Sequence, residues 1–299
     1  IHGLGGSLAQ FHHLLTSLSN IGPCFGIDFP GCGLSTFAPT SWDAYSLDAL
    51  AELLFTAIED RRDKEAGQGV VLIGHSLGCS LSAILASSKS PKGIGLKEHI
   101  LGLVSICPRA SPPSLEEATM FRRLLHVPGP IFDLWRSWDR RGGANSASVA
   151  RLVGADADPE TRELQVRFNK QSKTPVWRRM AWGMLPTYAG KTPIGGIPGE
   201  EVWAGVQTPV LLVAGESDAI TPPIELEKIL QYFGYGGHKR MSARGGSIIP
   251  DASEIHDRIP ASYNGSAYEE EYGVEPRITE NELDKGPSLA DQSKPRHRV

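Results

Sequence analysis

The stretch that most constrains this chain is Val70 to Leu81, which reads Val-Val-Leu-Ile-Gly-His-Ser-Leu-Gly-Cys-Ser-Leu. An unbroken apolar run, Val70 to Ile73, ends in Gly74-His75-Ser76-Leu77-Gly78, and a small-residue helical pattern follows. Gly-x-Ser-x-Gly between a strand and a helix predicts a sharp, strained turn that thrusts the Ser76 hydroxyl above a sheet. Gly74 and Gly78 are expected to supply missing Cβ atoms where the two backbones crowd that turn. A helix that starts at Leu77 also aims its first N–H groups at any charge that develops beside Ser76. The alternative is a glycine-rich turn with a capping serine, so the surrounding pattern has to decide.

That pattern is repetitive. Ile1 to Ser7 (Ile-His-Gly-Leu-Gly-Gly-Ser) makes a glycine-rich turn, and Leu8, Phe11, Leu14, Leu15 and Leu18 then form one apolar stripe at helical spacing. Phe25-Gly26-Ile27 reads as a short strand that ends at Asp28, followed by the loop Phe29 to Ser35. Trp42 to Arg61 reads as a helix with Leu47, Leu50, Ala51, Leu54 and Ile58 on one side. The helix after Ser76 is expected to run to about Ser88, and Ile100 to Ile106 is a further apolar strand. Apolar strands alternating with amphipathic helices predict a parallel sheet covered on both faces. Residues 109–207 break the rhythm, with helical pieces at Ser114 to Leu125 and Pro159 to Asn169 and no convincing strand. Trp135, Trp138, Trp177 and Trp182 in this part either roof a pocket or pack a small helical subdomain. Pro209 to Ala214 restores a buried strand, followed by Gly215-Glu216-Ser217-Asp218 and a helix from Ile224 to Phe233. Residues 235–299 are rich in Gly, Ser, Pro and charge, and read as a polar, largely disordered insertion or tail.

Bulk properties exclude several classes. A net charge of −4 gives no reason to expect nucleic acid or an anionic membrane as a partner. No apolar run approaches the roughly 20 residues that span a bilayer. Cys24, Cys32, Cys79 and Cys107 form neither a Cys-x-x-Cys pair nor a dense framework, which points to buried reduced thiols and a cytoplasmic protein. His12 and His13 are neighbours on a helix and do not face each other, so no metal pair is expected there. No cofactor is expected either.

Together, His2-Gly3-Leu4-Gly5-Gly6, Asp28 to Ser35, the turn at Ser76 and the Gly215 to Asp218 loop resemble the α/β-hydrolase superfamily. The similarity is greatest to its capped, abhydrolase and epoxide-hydrolase-like branch, and it covers about residues 1–234. The resemblance implies an α/β-hydrolase fold with core segments at 1–108 and 208–234 and a helical cap, 109–207, between the sixth and seventh strands. It implies Ser76 as nucleophile and Asp218 as the acid that orients an imidazole. It assigns the oxyanion hole to the Leu4 and Leu77 amides, with His2, Gly3, Gly74 and Gly78 as supporting residues. Ser rather than Asp at the turn argues against epoxide and haloalkane chemistry. Asp28 matches a loop-holding residue, and His2 a structural histidine. His75, adjacent to Ser76, is poorly placed as a base.

The imidazole itself has no place in the pattern. The family order is Ser, acid, His, with the His after a last strand. His238, His256 and His297 follow Asp218, and none has a buried strand before it. The expectation is that Ile1 closes a central strand, that the chain is a fragment, and that the base lies beyond Val299, with His238 and then His256 as the alternatives. Phe132, Leu134, Trp135 and Met184 favour an apolar acyl substrate. The chemistry expected is cleavage of a carboxylic ester, lipid or thioester. The alternatives are acyl transfer or cofactor-free peroxidase chemistry on the same triad, or a non-catalytic ligand-binding homologue.

Overall fold

The computed structural model describes residues 1–90 and 96–234. Its first element is a 3₁₀ turn, Leu8–Phe11, that passes directly into α1, His12–Leu18. The expected helix at Trp42 to Arg61 begins later, as α2, Leu47–Glu59, after a 3₁₀ turn at Asp43–Tyr45. Ser46 sets the start: its backbone is extended and its hydroxyl accepts from the Ala49 N–H at 3.2 Å, capping the helix there. The stripe Leu47, Leu50, Ala51, Leu54 and Ile58 is buried, as its spacing required.

β1, Val70–His75, leads into α3, Leu77–Ala86, and β2, Ile100–Ile106, follows. Between β2 and the next sheet strand lie α4 (Leu115–Leu125), α5 (Gly129–Asp139), α6 (Ala147–Val153), α7 (Pro159–Gln171) and α8 (Thr174–Gly183). A small hairpin of β3 (Thr187–Ala189) and β4 (Thr192–Ile194), and α9 (Glu200–Ala204), complete the insertion. β5, Val210–Val213, and α10, Ile224–Tyr232, close the described chain.

The sheet is parallel, in the order β1-β2-β5, with Leu72 opposite Leu103 and Leu103 opposite Val210. Ile1 flanks β1 on its other side. Its nitrogen donates to the Ile73 carbonyl at 2.7 Å and its carbonyl accepts from the His75 N–H at 3.0 Å, the slanted pair of a parallel neighbour. Every residue of α3 is buried, which its small side chains at Gly78, Ser80, Ser82 and Ala83 permit.

Four expectations need correction. Phe25-Gly26-Ile27 is not a strand, because no neighbour pairs with it among the described residues. Among the described residues, cover is seen on one face of the sheet and not on the other. Leu72 and Leu103 join the core, but the opposite face shows Val71, Leu211 and Val213 at 56%, 58% and 40% exposure, so Pro209 to Ala214 is only half-buried. Helix α3 packs on β1 and β2. The insertion contains strands after all. Gly190, with φ +64°, and Lys191 form a two-residue loop that closes β3 on β4, a short-range signal the sequence did carry. Finally, Cys32 and Cys79 are buried and Cys107 is half-buried, but Cys24 is exposed; all four are free thiols.

The insertion is anchored to the core by close approaches. A Cβ at Gly183 would stand 2.0 Å from the Tyr45 carbonyl oxygen, so only glycine lets α8 lie on that loop. Arg179 donates to the Thr40 carbonyl at 2.7 Å and covers the Phe37 and Trp42 rings. The expected tail, 235–299, lies outside the described residues.

Candidate active site

Ser76 has φ 53° and ψ −117°, a conformation that L side chains rarely adopt. Three backbone bonds fix the turn: His75 N–H to the Ile1 carbonyl, Ser76 N–H to the Ile106 carbonyl at 2.9 Å, and Cys79 N–H to the Ser76 carbonyl at 2.9 Å. The glycines do what the pattern demanded. A Cβ on Gly74 would lie 2.6 Å from both the carbonyl carbon and oxygen of Gly78, and one on Gly78 would lie 2.3 Å from the Ile1 carbonyl oxygen. Strand, helix and N-terminal segment thus meet through backbone alone.

Gly3 abuts the same point, since a Cβ there would lie 3.1 Å from the Ser76 Cβ. The loop that follows is a tight turn, closed by Gly6 N–H to the Gly3 carbonyl at 3.1 Å, with Gly5 at φ +61°. Leu4 therefore sits at the crest of a turn beside Ser76. Among the described residues, neither the Leu4 nor the Leu77 N–H donates to a protein acceptor. Leu77 is the first residue of α3, where orphan N–H groups and the helix dipole favour an anion.

His2 is fully buried and both its ring nitrogens are occupied. Nε2 accepts from the Phe29 N–H at 3.0 Å and Nδ1 lies 2.8 Å from the Gly3 carbonyl, which fixes an Nδ1–H tautomer. Burial holds its pKa down to about 4, against the upward pull of the Gly3 carbonyl and Asp28. His2 ties two loops together in neutral form. Asp28 does the same with charge, accepting from the Leu8 N–H at 2.7 Å and the Leu34 N–H at 3.0 Å.

Asp218 sits on the loop after β5, at the same end of the sheet as Ser76 and two strands across, with β2 between. One carboxylate oxygen accepts from the Ile220 and Thr221 N–H groups at 2.8 and 3.0 Å, and the other from the Thr221 hydroxyl at 2.9 Å. Burial pushes the carboxyl up, but these bonds and one from the Cys107 thiol outweigh it and leave it below its ordinary value. Cys107 was not singled out in the sequence. It follows β2 directly, has φ 55°, and donates its N–H to the Val213 carbonyl at 2.7 Å, which places its thiol near enough to Asp218 to act on the carboxyl. A lone Cys-Pro pair gives no warning of this, because the contact joins residues 111 positions apart (218 − 107).

The structure brings Leu4, Gly3, Ser76 and Leu77 together, and sets Asp218 across β2 from them. Among the described residues it brings no base to them. Among the described residues, no histidine hydrogen-bonds to Ser76 or Asp218. His75 turns toward the Phe11 ring, 5.9 Å away; burial lowers its pKa and the charge of Asp218 works against that. His238 and His256 lie outside the described residues. The insertion meets the site at Ser172 and Trp177, each 2.9 Å from where a Gly5 Cβ would stand, and Ser7 donates to Gln171 at 3.0 Å.

A parallel sheet, a strained Gly-x-Ser-x-Gly turn at a strand-to-helix junction, and a run of helices between β2 and β5 make an α/β fold of the hydrolase type. The family model for the alpha/beta hydrolase fold matches residues 1–235, and the chain belongs to that family. An abhydrolase domain-containing protein of Schizosaccharomyces pombe is 26% identical over 268 residues, 87% of this chain and 68% of that protein. Among solved structures, the enol-lactonase of Burkholderia xenovorans superposes with a TM-score of 0.57 at 15% identity, covering 77% of this chain and 76% of its own. A hydrolase of Oleispira antarctica gives 0.56 at 17% identity, covering 77% of each chain. A thermophilic esterase of Thermogutta terrifontis gives 0.52 at 18% identity, covering 77% and 75%.

Proposed function

We propose that the protein is a serine hydrolase that cleaves a carboxylic ester, lipid or thioester through an acyl-enzyme on Ser76. The observation that carries the reading is the pair of unused amides, Leu4 and Leu77, on the two segments that flank a serine held in a strained conformation. In this reading the Ser76 oxygen attacks the acyl carbon and its proton passes to an imidazole. The carbonyl oxygen gathers negative charge as the tetrahedral adduct forms. Two preformed N–H groups then stabilise that oxygen, each worth about 10²–10³ in rate. Asp218, already ionised and clamped by Thr221, orients the imidazole and stabilises its charge. His238 and His256 are the candidates for that base within this sequence. Residues 109–207 serve as a cap, and of the four side chains expected to favour an apolar acyl group only Phe132 and Met184 lie in its interior, while Leu134 and Trp135 stand exposed on its outer side. The esterase and lactonase among the structural neighbours support the choice of ester-like substrates.

A fluorophosphonate probe tests the reading, with the adduct mapped by mass spectrometry. Labelling at Ser76 is expected, with none in Ser76→Ala and a loss of rate on the order of 10⁴ or more when the base is removed. His238→Ala and His256→Ala separate the two candidates. A protein that binds acyl substrates yet gives no adduct at Ser76 would overturn the hydrolase and support a ligand-binding homologue.

A further inference from the structure

Helix α5 is built inside out. Ile131, Leu134, Trp135 and Trp138 fall at i, i+3, i+4 and i+7, the spacing of a single helical stripe. In a globular protein that stripe faces the core. Here its members are 58%, 69%, 52% and 62% exposed. The charged residues lie off the stripe and two of them are satisfied by the protein. Arg136 donates to the Thr174 and Ser172 hydroxyls at 2.8 and 3.0 Å, and Asp139 pairs with Arg151. Only Phe132 of this helix is buried. Helix α4 repeats the arrangement. Ala118 and Leu125 are buried, while Met120 and Leu124 stand 59% and 49% exposed on the opposite side.

The charges around this surface have a sign. Arg122 and Arg123 close α4, Arg140 and Arg141 follow α5, and Arg123 and Arg141 are exposed. The acids near it are Glu116 and Glu117, at the far end of α4, and Asp133; Glu117 is already bound to the Ser114 N–H at 2.7 Å. Two indoles on an uncharged stripe, flanked by guanidiniums, match a membrane surface: an apolar layer beneath anionic headgroups. Among the described residues no helix is long and apolar enough to cross a membrane. The stripe is also continuous with the site. Trp135 packs on Phe132 at 5.5 Å, Phe132 on Trp177 at 5.6 Å, and Trp177 on the Gly5 turn.

We propose that the outward faces of α4 and α5 dock the protein on an anionic lipid surface, with Trp135 and Trp138 as the inserted side chains. The docking is independent of the chemistry at Ser76, so Ser76→Ala binds as the unaltered protein does. The test is co-sedimentation of the full chain with vesicles of phosphatidylcholine containing about one-fifth phosphatidylserine, paired with sedimentation velocity without lipid. The unaltered protein is expected to pellet with these vesicles, and less with phosphatidylcholine alone. Trp135→Ser/Trp138→Ser is expected to lower the partition at least about tenfold while circular dichroism still reports a folded chain, and Trp138→Ser alone, at the more exposed indole, to lower it with little change in melting temperature. Raising salt weakens binding to the anionic vesicles. Protein that stays in the supernatant, or a double variant that binds equally well, overturns the proposal. So does a dimer without lipid that the double variant converts to monomer, because the stripe is then the face between two copies.

Discussion

Gly74→Ala tests the strand-to-helix junction through a single methyl group. The added carbon would stand 2.6, 2.6 and 2.7 Å from three atoms, the Gly78 carbonyl carbon and oxygen and the Cys79 nitrogen. Ordinary contact for a carbon is about 3.5 Å or more, so each approach is roughly an ångström too close. No side chain can rotate aside, because all three atoms are backbone. Relief requires β1 and α3 to separate, and α3 is packed on every side. Overpacking a core costs about 1–3 kcal/mol. With three rigid contacts the upper end applies, about 3 kcal/mol, a factor of more than about 100 in the folded-to-unfolded ratio. The assay is urea denaturation followed by circular dichroism, with Gly22→Ala as control, because a Cβ at Gly22 meets nothing within 4 Å. The control is expected within about 0.5 kcal/mol of the unaltered protein. Labelling of Ser76 is the second readout. A shift of about 1 Å in the Leu77 amide slows it on the order of 100-fold. If Gly74→Ala unfolds at the same urea concentration as Gly22→Ala, the close approach does not govern the junction and the reasoning is wrong.

Two further outcomes follow from the same region. His2 is buried neutral, with its pKa lowered from 6.5 to about 4, so between those values the unfolded chain binds a proton that the folded one does not. Stability is therefore present above pH 6.5 and is lost as pH falls toward 4, by about 3 kcal/mol over the window. Denaturation at pH 7 and pH 5 should show a loss that His2→Gln lacks; equal slopes would assign the pH dependence elsewhere. Ser76→Gly removes a side chain from a conformation that costs about 1–3 kcal/mol in L residues, against about 0.5–1 kcal/mol of extra chain entropy. The variant is expected to melt higher than Ser76→Ala while giving no covalent adduct, and a lower melting point would mean that the turn holds no strain.

Most of what the sequence announced was local. The junction at Ser76, the turn after His2 and the stripe of α2 were legible because their causes lie within a few residues. Gly-x-Ser-x-Gly needs small residues at fixed offsets, and a helix needs apolar residues every three or four. Where local rules compete, boundaries moved: Ser46 caps α2 so that it starts at Leu47, five residues after the expected start at Trp42. Gly190-Lys191 went unread because three-residue strands carry too few residues for periodicity to show.

The primary structure alone determined the fold family, the serine junction and the order of Ser76 before Asp218, because each rests on contacts between near neighbours or on the succession of elements. The folded chain decided the rest: the nearness of Cys107 to Asp218, the neutral state of His2, the exposure of Val71 and Leu211 among the described residues, and the outward stripe of α5. The physical reason is that burial and charge environment are properties of what packs on a residue. A stripe such as Ile131, Leu134, Trp135 and Trp138 has the same spacing whether it faces a core or open solvent.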